Sequence, residues 1–180
     1  MGNSTPKSKL LKVEHQKQET ENCCWAACGA IVLNHLIPIS PILGYVGVSG
    51  FFKYTQKDVA NLVSSSYDPI NLNSMIDIST LSGGLRKVYR IEVEGPLRQL
   101  KFDDVVKYLN DAKLIILSLK DHLVVIVGYR THDSGTQSVY INDPARPSNE
   151  GQLEFGWTSK IEPHRREYII VSYNFEKDEL

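Results

Sequence analysis

A helix that is apolar nearly all the way round constrains this chain more than any other feature. The segment WAACGAIVLNHL, Trp25 to Leu36, lacks a polar face, which is typical of a helix buried at the centre of a domain. Asn22 is its predicted N-cap, and Pro38 predicts its end. A chain of 180 residues that is 42% hydrophobic has enough apolar sequence to enclose this helix within one domain.

All three cysteines lie at the start of this helix or inside it, at positions 23, 24 and 28. An odd number of closely spaced cysteines does not suit a disulfide framework, and no second pair of Cys or His downstream completes a structural zinc site. No metal or organic cofactor is implied. Cys28 is interpreted as a packing residue. Cys23 and Cys24 fall in the first helical turn, where the positive end of the helix dipole stabilises a thiolate.

A candidate base lies far downstream, between two apolar, β-branched runs. Residues 114–130 predict two strands separated by a polar turn, with His122 at the entrance of the second strand. A hairpin turn and a partner strand follow, and Pro144 ends that strand. His122 and Asp143 are therefore expected on adjacent strands, where the carboxylate can orient the imidazole. Asn142 stays an alternative to Asp143, because strand alternation alone does not decide which of them faces His122.

The order of these residues and the local sequences resemble those of papain-like cysteine proteases. Cys24-Trp25-Ala26 is similar to their Cys-Trp-Ala, and Asp121-His122 before VVIVGY is similar to the strand that carries their histidine. Gln18, shortly before the cysteine, matches their oxyanion-hole glutamine. The ending Ile141-Asn-Asp-Pro144 is similar to the peptidase domains of bacteriocin-exporting ABC transporters and to papain-like effector proteases of pathogenic bacteria, whose third residue is Asp.

This resemblance implies an α+β, papain-like fold, in which an N-terminal helical lobe packs on a C-terminal, mostly antiparallel β-sheet lobe. It implies a cysteine peptidase with a Cys-His-Asp triad: Cys24 attacks the peptide carbonyl, His122 carries the proton, and Asp143 orients His122. Gln18 is implied as the oxyanion donor, together with the backbone N–H of Cys24.

The remaining patterns are assigned to these two lobes. We expect residues 1–17 to form a flexible leader and residues 18–176 to form the peptidase domain, with lobes of about 18–84 and about 85–176. The further predicted elements are a helix capped by Thr55 and Asp58, a helix over 73–81 that ends at Gly83-Gly84, a strand over 85–93, a helix over 102–109, and strands over 152–157 and 168–173.

Charge and hydropathy limit the partners. The formal net charge is −1, and the sequence has no Lys/Arg block, which disfavours nucleic acid and anionic membranes. No run approaches the ~20 apolar residues of a membrane span, and no secretory signal is visible. We expect a soluble chain, cytoplasmic or secreted, that acts on a protein or peptide. The C-terminal Lys177-Asp-Glu-Leu180 is interpreted as coincidental, and Pro6 disfavours myristoylation at Met1-Gly2.

Two other classes of function stay open at this point. The same residues also serve deamidases and transglutaminase-like acyltransferases, because one site geometry supports several acyl-transfer chemistries. A non-catalytic binding module on a protease scaffold is the second alternative. The presence of Gln18, Cys24, His122 and Asp143 together argues against it. Substrate specificity, oligomeric state and the choice between effector, export peptidase and housekeeping enzyme are not predicted.

Overall fold

The structure is a computed structural model that describes residues 7–37, 53–64, 70–147 and 152–174. The predicted helix stop at Pro38 lies outside these ranges. The Met1-Gly2 start, Pro6 and the tetrapeptide Lys177–Leu180 also lie outside them.

Helices precede most of the strands in chain order. The helices are α1 Cys24–Leu36, α2 Gln56–Val63, α3 Ile78–Leu85 and α4 Phe102–Asn110, and a π-helical turn covers Trp157–Ile161. The strands are β1 Ser8–Leu10, β2 Ile91–Arg98, β3 Leu114–Leu119, β4 His122–Thr131, β5 Gln137–Asn142, β6 Gln152–Gly156 and β7 Arg165–Tyr173.

The strands form one antiparallel sheet in the order β2-β7-β3-β4-β5-β6. β1 pairs with Gly128–Arg130 of β4, beyond the part of β4 that pairs with β3. Helices α1, α2 and α3 pack together, and α1 also packs on β4. The predicted α+β class, with a helical lobe on a mostly antiparallel sheet lobe, is therefore confirmed.

The central helix is buried as its composition predicts. Trp25, Ile31 and Leu33 are at most 1% exposed, because α1 is enclosed by α2, α3 and the sheet. Its predicted N-cap is wrong by one residue: Cys23 is the N-cap, and it makes no side-chain capping bond. The Asn22 amide instead donates to the Asn73 carbonyl oxygen at 3.1 Å.

The helix predicted over residues 73–81 begins and ends later in the structure. Asp77 is its N-cap, and its carboxylate accepts a hydrogen bond from the Thr80 N–H at 2.7 Å. Gly83 and Gly84 lie inside α3 rather than ending it. A Cβ on Gly84 would lie 2.6 Å from Val63 Cγ2, so this glycine allows α2 and α3 to approach each other closely.

The strand predicted over residues 85–93 begins later than the pattern indicates. Leu85 is the last residue of α3, and β2 begins at Ile91. Between them Arg90 has a φ of 67°, a left-handed conformation that interrupts an extended run. By contrast, the structure confirms the Thr55/Asp58 capping box, the helix over 102–109 and the β4–β5 hairpin.

Part of the segment expected to be a leader pairs with the sheet. Lys9 is the register partner of Tyr129, and the Leu11 N–H donates to the Val127 carbonyl at 2.9 Å. Val13 is 3% exposed and belongs to the core. Residues 8–13 are thus integrated into the sheet lobe.

Candidate active site

Cys24 is the first residue of α1 and opens on a cleft of about 410 Å³. The cleft has walls from both lobes: Glu21, Asn22, Trp25 and residues 75–78 on the helical side, and Ser118, residues 120–123 and Glu167 on the sheet side. The position of Cys24 follows from the packing of α1 on β4. The first side chain of this buried helix lies where the helical lobe meets the sheet lobe.

A tight turn positions His122. Leu119 and His122 are register partners, so Lys120 and Asp121 form a two-residue hairpin loop between β3 and β4. Lys120 has a φ of 49°, as the first position of such a turn requires. His122 is therefore held by the sheet ladder at the edge of the cleft.

The imidazole of His122 is bound to a carboxylate. His122 Nε2 lies 2.6 Å from Asp143 Oδ1, and these side chains are 30% and 15% exposed. The same carboxylate oxygen accepts the backbone N–H of Ala145 at 3.0 Å. Asn142, the alternative considered from the sequence, is fully buried and paired with His15 instead. The geometry thus selects Asp143 as the neighbour of His122.

The ring of His122 also interacts with the thiol of Cys24. The two groups are close enough for each to shift the pKa of the other. Because Nε2 binds Asp143, Nδ1 is the ring nitrogen left available to the sulfur. Cys24, His122 and Asp143 therefore lie in one continuous row across the interface between the lobes.

The charges in this row support one another. Burial alone would raise the pKa of Cys24, but the hydrogen bond and charge of His122 and the backbone N–H of Leu123 lower it below its ordinary value. Burial alone would lower the pKa of His122, but Asp143 and Cys24 raise it to about 9. The pKa of Asp143 is lowered, despite its burial, by His122, Ala145 and Arg146. Each of these shifts favours the charged form of its group: the thiolate of Cys24, the imidazolium of His122 and the carboxylate of Asp143.

The other two thiols do not share these surroundings. Cys28 is fully buried, and burial together with the charges of Cys24 and Asp143 raises its pKa well above the ordinary value. Cys23 is also fully buried; its Sγ accepts the Thr20 N–H at 3.1 Å and lies 3.1 Å from Gln56 Oε1. A substrate in the cleft meets Cys24 rather than its neighbour.

Gln18 lies in the turn that precedes α1. Its side-chain nitrogen donates to the carbonyl oxygens of Thr20 and Glu21 at 2.8 and 2.9 Å, and its backbone N–H donates to the Pro144 carbonyl at 2.9 Å. Its Oε1 is buried without a hydrogen-bond partner among the described residues. Both amide hydrogens are therefore occupied within the turn.

Two polar residues that support the site were missed from the sequence. Gln56, 4% exposed, accepts the Glu19 N–H at 3.0 Å and donates to the Lys17 carbonyl at 2.8 Å, so it fastens the segment before α1 to α2. His15 binds the residues around Asp143. Neither has a local signal, because each acts on residues distant in sequence.

Neither a metal cluster nor a membrane helix is found in the described part of the chain. No group of three or more His, Cys, Asp or Glu side chains there is arranged to hold a metal ion. Among the same residues, no helix is both long and apolar enough to cross a bilayer.

Comparison with known proteins places this geometry in context. Residues 10–162 match the model of the Peptidase_C39 like family. A search of curated protein sequences gives no significant match.

Many solved structures share the fold, among them the following three. The chain is similar to a double glycine motif protease from an AMS/PCAT transporter, solved with its leader peptide (19% identity, 91% of this chain and 92% of that one, TM-score 0.54). It is similar to the proform of Amb a 11, a cysteine protease of ragweed pollen (10% identity, 96% of this chain, TM-score 0.59), and spans 66% of that chain. Bromelain from Ananas comosus, in complex with the E64 inhibitor, is 10% identical over 94% of this chain and 100% of its own, with a TM-score of 0.51.

Proposed function

Because the chain belongs to the Peptidase_C39 like family and is a cysteine protease, we propose that it hydrolyses peptide bonds with Cys24, His122 and Asp143 as its catalytic triad. The observation that carries this proposal is the row of side chains at the cleft: His122 Nε2 lies 2.6 Å from Asp143 Oδ1, and Cys24 and His122 line the same cleft. A nucleophile, its base and an orienting group in mutual contact are what covalent acyl transfer needs.

Acylation begins from the ion pair. The Cys24 thiolate attacks the carbonyl carbon of the scissile peptide, a C–S bond forms, and the carbonyl oxygen becomes an oxyanion. The His122 imidazolium then gives its proton to the amide nitrogen as the C–N bond breaks and the amine leaves. Asp143 keeps the ring oriented throughout, because its bond to Nε2 leaves Nδ1 directed at the sulfur.

Deacylation reverses these roles. A water molecule attacks the thioester carbonyl while the now neutral His122 takes a proton from it. The tetrahedral intermediate collapses with cleavage of the C–S bond, which releases the carboxylic acid and restores the thiolate and imidazolium. Each proton taken up by His122 is returned, so the enzyme is unchanged after one turnover.

The oxyanion is assigned to Gln18 and to the backbone N–H of Cys24. Two features support this assignment: the position of Gln18 in the turn before the helix, and the position of Cys24 in the first turn of α1, where N–H groups have no intrahelical acceptor. Since both amide hydrogens of Gln18 donate to carbonyls within the turn, this role requires one of them to turn toward the substrate.

A protein or peptide segment is the substrate that this cleft suits. The transporter protease with the same fold was solved with a leader peptide, and the cleft here runs between the two lobes, where an extended chain can lie beside Cys24.

Comparison of new protein N-termini in a proteome treated with the wild type and with Cys24→Ala tests the proposal. Cys28→Ala is the matched control, since it changes a buried thiol of the same helix. We expect new N-termini with the wild type and Cys28→Ala, and none with Cys24→Ala. Deamidated or amine-linked glutamines without new N-termini would instead indicate an acyltransferase or deamidase.

A further inference from the structure

The orienting carboxylate lies beyond the sheet that carries it. In the β4–β5 ladder the last register pair is Val125 with Asn142, and in the β5–β6 ladder it is Asn142 with Gln152. Asp143 follows these pairs, so no strand pairing holds its backbone. His122, in contrast, is itself a paired residue of β4. The position of Asp143 must therefore be set by contacts outside the ladder.

One side chain from the opposite end of the chain makes such contacts. His15 Nδ1 is hydrogen-bonded to Asn142 Oδ1, and His15 Nε2 lies 3.0 Å from the carbonyl oxygen of Arg146. These partners flank Asp143 on both sides, and the Arg146 N–H closes the turn onto the Asp143 carbonyl at 3.0 Å. A single imidazole thus joins the start and the end of the turn that presents the carboxylate.

The segment that carries His15 is firmly attached to the sheet lobe. Val13, two residues earlier, is 3% exposed, and its carbonyl accepts the Gln152 amide at 2.8 Å. Three residues later, the Gln18 N–H donates to Pro144 at 2.9 Å. The backbone on either side of His15 is therefore held in place, unlike that of a residue on a free terminus.

We propose that His15 is a positioning residue for peptide-bond hydrolysis: through Asn142 and the Arg146 carbonyl it holds the Asp143 turn so that the carboxylate meets His122. This inference rests on the proposed function. The contacts of His15 are with residues on either side of Asp143, so its effect on turnover is transmitted through the turn.

A purely structural role for His15 would have a different signature. A displaced Asp143 no longer supports the charge on His122, and His122 in turn stabilises the Cys24 thiolate. The charges that act on His122 are those of Asp143 and Cys24. Lys120, Asp121 and Glu167 line the same cleft, and Arg146 Nε lies 3.9 Å from Asp143 Oδ2. The inflection of Cys24 alkylation with pH therefore reports whether Asp143 is in place, whereas the melting temperature reports only the stability of the fold.

The test compares His15→Ala, His15→Gln and His132→Ala. His132 is a matched control, because its imidazole likewise bridges two partners, Ser138 of β5 at 3.1 Å and Glu154 of β6 at 3.0 Å, but at the end of β5 away from the cleft. Iodoacetamide alkylation of Cys24 is followed against pH by peptide mass spectrometry. Hydrolysis of fluorescently labelled casein and the melting temperature are measured in parallel.

We expect His15→Ala to move the Cys24 inflection to higher pH and to lower casein hydrolysis about 10-fold to 100-fold through kcat rather than KM, since a small displacement of a catalytic group has effects of this size. His15→Gln retains an amide nitrogen that can donate to one of the two oxygen acceptors, Asn142 Oδ1 or the Arg146 carbonyl, and should recover part of the rate. His132→Ala should leave the inflection in place. If His15→Ala lowers the melting temperature but leaves the inflection unchanged, the positioning role is wrong.

A second variant covers the case in which His15→Ala does not fold. Asn142→Ala removes the same hydrogen bond from the other side and carries the same expectation; an unchanged inflection there also contradicts the proposal. If both single variants fold, the double variant should shift the Cys24 inflection no further than either single variant does. The proposed function fails separately: it is wrong if wild-type Cys24 has an ordinary inflection that Asp143→Ala does not move.

Discussion

His122 Nε2 lies 2.6 Å from Asp143 Oδ1, whereas the adjacent Asn142 binds His15 and is fully buried. These two polar residues, the last of β5 and the residue after it, thus have separate partners. The carboxylate is the one that can hold a charged imidazole at the cleft.

Replacement of the orienting carboxylate tests its role directly. Asp143→Ala leaves His122 with its basic nitrogens but without its partner, so kcat should fall by about 10²–10⁴-fold while the fold is retained. Asp133→Ala is the control, because Asp133 is an exposed carboxylate paired with Lys7 at the far hairpin. Steady-state kinetics on a cleaved peptide measure the effect, and normal turnover by Asp143→Ala would exclude Asp143 from the triad.

The three thiols should differ in reactivity. Cys24 opens on the cleft and His122 lowers its pKa, whereas Cys23 and Cys28 are fully buried. At about pH 6, iodoacetamide should therefore label Cys24 well before the other two, and His122→Ala should slow that labelling. Peptide mass spectrometry resolves the sites. Equal labelling rates for all three cysteines would contradict a Cys24 thiolate.

The pH dependence of hydrolysis should be bell-shaped. Activity rises as Cys24 ionises, at a pKa below its ordinary value, and falls as His122 loses its proton at a pKa of about 9. Asp143→Asn removes the negative charge that raises the pKa of His122, so the alkaline limb should move to lower pH. Profiles of kcat/KM for the two proteins measure this shift. An alkaline limb that stays in place would show that Asp143 does not support the imidazolium.

Gln18 should affect the chemical step more than the formation of the thiolate. If it donates to the oxyanion, kcat should fall by about 10²–10³-fold in Gln18→Ala. Alkylation of Cys24 by iodoacetamide forms no oxyanion, so its rate should change far less. Loss of both rates together would mean that Gln18 only maintains the turn before α1. Full activity in Gln18→Ala would remove it from the site.

Two adjacent glycines of α3 should respond in opposite ways to the same change. A Cβ on Gly84 would lie 2.6 Å from Val63 Cγ2 and 3.1 Å from the Val63 backbone, so Gly84→Ala should destabilise the fold by about 1–3 kcal/mol. A Cβ on Gly83 would meet no atom of another element within 4 Å, so Gly83→Ala should stabilise the helix by up to about 1 kcal/mol. Urea unfolding compares the two, and equal effects would contradict the close packing of α2 on α3.

Local patterns in the sequence were sufficient for the elements that build the cleft. The apolar circumference of residues 25–36 predicts a buried helix, and the structure has α1 there, because a helix without a polar face can only lie between other layers. The β-branched runs around His122 predict the β3–β4–β5 arrangement, which the structure has. Strand and turn signals of this kind depend only on residues close together in the chain. The predicted boundaries of α3 and β2 were wrong. Gly84 lies inside α3, where it allows close packing on α2, and Arg90 has a left-handed conformation just before β2.

The sequence by itself therefore determined the buried helix, the thiol at its start and the hairpin that carries His122. Tertiary structure alone decided which of Asp143 and Asn142 lies beside His122. An irregularity in the β4–β5 register between Ile126 and Gly128 shifts the strands by one residue, and such a shift exchanges the faces that side chains occupy. The tertiary structure also places His15, 127 residues away in the chain, beside Asn142. Periodicity acts between neighbours in the chain, whereas these contacts depend on where strands pair and where pairing ends.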